Sequence, residues 1–114
     1  MIPADGLALL QAWVDAQHAP MPADMRELIR YELDVTDRTV TIVETRPPWR
    51  DDLGPEWTRL PVARLRYWKG REVWSLYWSD RNSDFHEYDL IPPSRDVGDL
   101  IAEVEADPTA IFWG

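Results

Sequence analysis

The 114-residue sequence has no cysteine, only five glycines and only two histidines, and each scarcity removes a class of function. Without thiols there is neither a disulfide framework nor a thiolate metal site, and nothing calls for an oxidising compartment. The scattered glycines leave no phosphate-cradling loop and no Gly-x-Ser-x-Gly elbow. His18 and His86 lie in unrelated segments, so a zinc site would need several carboxylates to complete it; no metal and no other cofactor is expected. No apolar run approaches membrane-spanning length, and the first residues carry Asp5 without a basic region. A soluble cytoplasmic protein without membrane association is therefore expected. Cations are scarce too: 12 Lys and Arg against 21 Asp and Glu give a net charge of −9, which argues against nucleic-acid binding through a broad basic surface.

What is present is unevenly placed. Residues 1–45 carry a net −5, residues 46–81 a net +3 and residues 82–114 a net −7, so the centre is locally basic. Acidic flanks packing beside a basic middle would account for this; an anion-tolerant face on an otherwise repelling protein is the sharper alternative. Seven tryptophans stand at positions 13, 49, 57, 68, 74, 78 and 113. Trp74 and Trp78 suit a buried sheet face and Trp13 a helical stripe. Trp49, Trp57 and Trp68 fall in or beside loops, where an indole either plugs a core edge or meets a partner.

The chain is organised around residues 64–89, which read as two consecutive hairpins rich in aromatic and β-branched residues. A two-residue turn at Lys69-Gly70 sets Leu65 opposite Trp74, Ala63 opposite Leu76, Arg64 opposite Ser75 and Arg66 opposite Val73. A second turn at Arg81-Asn82 sets Trp78 opposite Phe85 on the same apolar side. Tyr77 then meets His86, and Ser75 meets Tyr88, on the other. The polar side would carry Arg64, Arg66, Tyr77, His86 and Tyr88, and is the candidate binding surface.

Along the rest of the chain, Leu7, Leu10, Trp13 and Val14 predict a helix over 4–17. Met25, Leu28 and Ile29 after Pro22 predict a second, short one. Alternation on either side of Asp37-Arg38 predicts a hairpin pairing Val35 with Val40 and Leu33 with Ile42. It places Tyr31 and Glu44 together on the inward side at its open end. Glu44 there needs a cation, Arg46 or an arginine of the third strand, and a structural ion pair is the expected role. Residues 46–61, with four prolines and a glycine, are expected to be irregular and able to fold over the polar face, with Arg46 and Trp49 bordering the site. Asp96 is the predicted N-cap of a helix with Val97, Leu100, Ile101 and Val104 on its apolar stripe, stopped by Asp107-Pro108. Ile111, Phe112 and Trp113 should dock on the sheet or on a neighbouring chain. Asp80, Asn82 and Asp84 match the start of a calcium loop, but Phe85 replaces its glycine and Ile91 its glutamate, which leaves a polar turn.

Segments 41–49, 56–59, 63–67 and 74–82 and the ending from Asp107-Pro108 through Ile111-Phe112-Trp113-Gly114 together resemble a family of small bacterial proteins known only as a domain of unknown function. The resemblance implies kinship over most of the chain from residue 22 onward and no particular activity. The expected fold is a single α+β domain spanning 1–114: an antiparallel meander of about five strands, with the N- and C-terminal helices on its apolar face. The expected function is a small binding or interaction module. It would use Arg46, Trp49, Arg64, Arg66, Tyr77, His86 and Tyr88 for a protein partner or an anionic small molecule, a second copy of the chain included. No catalytic residue is assigned; the alternative is a hydrolase- or transferase-like enzyme with His86 as general base and arginines holding an anionic substrate.

Overall fold

A computed structural model describes residues 1–48 and 56–113. Helix α1 (Ala4–His18) and the single turn α2 (Ala23–Arg26) precede strands β1 (Arg30–Val35), β2 (Thr39–Arg46), β3 (Thr58–Trp68), β4 (Val73–Ser79) and β5 (Phe85–Glu87), and helix α3 (Val97–Ala106) follows. The strands form one antiparallel sheet in the order β1-β2-β3-β4-β5, the meander the alternation predicts.

Alternation along each strand sets an inner and an outer face. On the inner face Val40, Ile42, Ala63, Leu65, Trp74 and Leu76 are almost fully buried. Against them pack Leu10 from α1 and Val97, Leu100, Ile101 and Val104 from α3. Gly6 lets α1 approach the sheet: a Cβ there would lie 2.7 Å from Cζ2 of the Trp74 indole. The β1–β2 register is the expected one, with Leu33 opposite Ile42, Val35 opposite Val40 and Tyr31 opposite Glu44.

The irregular connection is shorter than the prolines imply. Arg46 still belongs to β2 and Thr58–Pro61 to β3, where Pro61 stands opposite Val43 at a break in register. Proline lacks the N–H a regular ladder needs, and a bulge is where a strand tolerates that loss. Val62 and Ala63 on either side of the shift both reach the core. Residues 49–55, including Trp49 and the segment expected to cover the polar face, lie outside the described residues.

Asp96 caps α3 as predicted, its Oδ1 accepting the Gly98 N–H at 2.8 Å. At the other end Asp107 takes the left-handed conformation (φ 43°) and turns the chain back. Its carboxylate accepts three backbone N–H groups, from Ile111 (2.8 Å), Phe112 (3.1 Å) and Trp113 (3.0 Å). The tail is thereby folded onto its own domain. Phe112 is buried against Tyr88, and Trp113 packs on Trp13 and Tyr31 while its indole N–H donates to Val104 O. Phe112 is a core residue here and is not available to another chain.

Asp107→Ala removes the acceptor of three amides and a side chain suited to the left-handed region, and should cost about 1–3 kcal/mol. Asp107→Asn keeps one acceptor oxygen and tolerance of positive φ, so it should cost less. Urea unfolding followed by tryptophan fluorescence checks both the order and the size of the two losses.

Candidate functional site

The two central hairpins depart from the expected registers in different ways, and the difference decides the site. Between β3 and β4 the loop is four residues, 69–72, with Glu72 at φ 53°. Ala63 pairs with Trp78, Arg64 with Tyr77, Leu65 with Leu76 and Arg66 with Ser75. This is a slip of two positions, so every side chain keeps its expected face.

Between β4 and β5 the slip is one position, and the faces exchange. Tyr77 pairs with Glu87, Trp78 with His86 and Ser79 with Phe85. The loop is 81–83, with Ser83 at φ 63°. Asp80 holds it, Oδ1 accepting the N–H of Asn82 (2.8 Å) and of Asp84 (3.0 Å). A three-residue loop ending in a left-handed residue is a common hairpin connection, and its odd length reverses parity relative to a two-residue turn. The signal in the sequence was an aspartate able to accept amides two and four residues on, which favours this longer loop.

His86 and Tyr88 therefore leave the proposed surface. His86 stacks on Trp78 with ring centroids 4.7 Å apart, and its Nε2 lies 2.8 Å from Asp80 Oδ2. That contact, followed by the amide of Asp84, holds the Asp80 carboxyl below the usual range. Tyr88 is 5% exposed in the core, and its hydroxyl donates to Glu103 Oε2 at 2.9 Å. The constellation of His86 with Arg64 and Arg66 needed for general-base chemistry on an arginine-held anion is not formed. Arg46 also moves: it shares the inner face with Glu44 and pairs with it at 2.6 Å, so the expected ion pair exists but does not border the polar face.

Arg64, Arg66 and Tyr77 remain on the outer face, and three aromatic rings join them. The Arg64 guanidinium lies 3.9 Å from the centroid of Phe85, and its Nε donates to Thr41 Oγ1 at 2.9 Å. Arg66 lies 3.8 Å from the centroid of Trp68, whose indole N–H donates to Ser75 Oγ at 2.8 Å. At the β1 end Arg30 lies 4.4 Å above Trp57, and Arg59 reaches both Glu32 (2.6 Å) and Asp34 (3.0 Å). These side chains roof the sheet where no helix does. Thr41, Thr45 and Ser75 beneath them are only 4%, 2% and 4% exposed.

The arginines of this face are not equivalent. Arg59 is neutralised by two carboxylates, whereas among the described residues none lies within 4.0 Å of Arg64 or Arg66. Arg66 Nε is buried without an acceptor among the described residues. An orphaned buried donor costs about 1–3 kcal/mol, and a guanidinium stack returns about 0.5–2 kcal/mol, so the stack roughly offsets the cost without supplying an acceptor. Guanidiniums held over rings, with terminal N–H groups unclaimed by carboxylates, are suited to carboxylate or phosphate oxygens. Among the described residues no group of three or more potential ligands could hold a metal ion. No described helix is long and apolar enough to cross a membrane.

The sequence model of DUF3024, a domain of unknown function, matches residues 4–114. The chain belongs to this family. No curated protein and no solved structure matches it.

Tyr88 supplies a pH test of its new position. Burial, then the Glu103 carboxylate, push its hydroxyl up from 10.0 to about 12. The unfolded chain ionises Tyr88 near its ordinary value, so this contribution to stability is complete below pH 10.0 and is lost as pH climbs through about 12. Urea midpoints measured over this alkaline range should fall less steeply in Tyr88→Phe than in the parent. Tyr31, also raised by burial and by Glu44, accounts for part of the remaining slope.

Proposed function

We propose that this DUF3024 protein is a small cytoplasmic bacterial binding module whose outer sheet face receives an anionic group of its partner. The observation that carries this reading is the pair Arg64 and Arg66, each held over a ring and neither paired with a carboxylate among the described residues, in a chain where acids outnumber bases 21 to 12. Tyr77, half-buried between them and β5, adds contact area at low entropy cost. An exposed acidic segment of a protein fits this surface, and so does a small anion. A second copy of this acidic chain is one such partner, through its acidic flanks and not through the buried Phe112.

An oligoglutamate peptide is a suitable probe, with binding followed by tryptophan fluorescence at low ionic strength. Arg64→Ala should weaken it by roughly tenfold, the scale of one lost charge-assisted contact, and Tyr77→Ala by less. Arg46→Ala, on the other face, should leave it unchanged. Equal affinity in the parent and Arg64→Ala would remove this reading. Light scattering of the parent against Arg64→Ala tests the self-association version.

A further inference from the structure

At the end of the sheet where two turns meet, a cleft of about 370 Å³ is lined by Met1, Asp37 and Arg38 and by residues 66–69. The fold draws three cations to it from separate elements. Arg38 sits in the β1–β2 turn, which is tied down by Tyr67 N–H donating to Arg38 O at 2.8 Å. Lys69 opens the β3–β4 turn. Arg66 comes from β3 and lies over the ring of Trp68, itself held by Ser75.

We infer that this cleft is a binding site for a small organic phosphate, with the phosphoryl group among Arg38, Arg66 and Lys69 and the organic part against Trp68. Among the described residues no carboxylate pairs with any of the three cations, although Asp37 lines the same cleft. Among the described lysines and arginines only Arg46 and Arg59 pair with a carboxylate, so what marks this cleft is the convergence of three cations on one concavity. Arg66 Nε is covered, so the donors this guanidinium can offer are its Nη groups, neither of which donates to a described residue. The donors left over suit tetrahedral oxygens, which take several N–H bonds at once, and three positive charges match a dianion better than a single carboxylate. The volume falls within the range of small-molecule sites and exceeds what a bare phosphate needs, and the Trp68 ring offers apolar contact for the remainder.

This inference rests on the outer face being an anion-binding surface and names a ligand class at one end of it. Its test is an NMR titration of the full chain with inorganic phosphate and with phenyl phosphate, against sodium chloride at matched ionic strength. The signals to follow are the Trp68 indole N–H and the Arg66 Nε–H. Saturable shifts confined to residues 37–38 and 66–69, tighter for phenyl phosphate, are expected. Arg38→Ala with Lys69→Ala, both in exposed turns, should weaken binding by roughly tenfold while leaving the rest of the spectrum in place. Shifts that follow chloride without saturating, or saturation unchanged in the double variant, would overturn the site. Arg64→Ala should leave the phosphate shifts intact, so loss of oligoglutamate binding alone and loss of phosphate binding alone point to different failures.

Discussion

One carboxylate decides the chemistry of this sheet. Asp80 accepts the amides of Asn82 and Asp84 and so closes a hairpin with an odd number of loop residues. Everything after that loop is turned over compared with a two-residue turn. Phe85 goes outward, where it becomes the platform for Arg64, and His86 goes inward onto Trp78. Tyr88 is carried into the core, where it meets Phe112 and hydrogen-bonds to Glu103 of α3. The same aspartate then holds His86, so the loop and the imidazole share one partner.

The architecture was legible in the sequence because it depends on patterns that survive small errors. The alternation in 30–35 and 39–46 fixes the first hairpin residue for residue, since Val35, Val40, Leu33 and Ile42 can share a face in only one sensible pairing. The β3–β4 register differs by two positions from that of a two-residue turn, which is harmless because side chains repeat with period two. The β4–β5 register differs by one, which is not. Tyr77 and His86, expected to face one another, stand on opposite sides. Hydrophobic pattern gave no warning, because Phe85 and Tyr88 are both apolar enough for the core and differ in parity. Only the hydrogen bonds of the loop separate the alternatives.

The outer face shows how a sheet without helices on one side can still cover its threonines and serine. Long arginine side chains lie along the surface and their heads rest on rings, so the aliphatic stems exclude water while charge stays near solvent. Trp57 and Trp68, at the ends of the irregular connection and of β3, are part of this roof and not plugs of the main core. The roof is uneven in charge. At the β1 end Glu32 and Asp34 hold Arg59 beside Arg30, and at the β4 end no carboxylate among the described residues pairs with Arg64 or Arg66.

The distribution of charge between the two layers bears on how such a surface would choose a ligand. Helices α1 and α3 carry Asp5, Asp15, Asp99, Glu103 and Glu105 and no lysine or arginine, while β3 alone carries Arg59, Arg64 and Arg66 on the opposite face. From a distance the molecule repels anions. Within a screening length of about 10 Å at 0.1 M salt the nearby guanidiniums dominate. Long-range attraction would then do little to gather anionic partners, and the proposed binding would depend on oxygens reaching the N–H groups of Arg64 and Arg66. A surface of this kind favours fit over charge density: a partner that is merely acidic gains little from the field, whereas one that places two or three oxygens against the stacked guanidiniums gains the directional bonds.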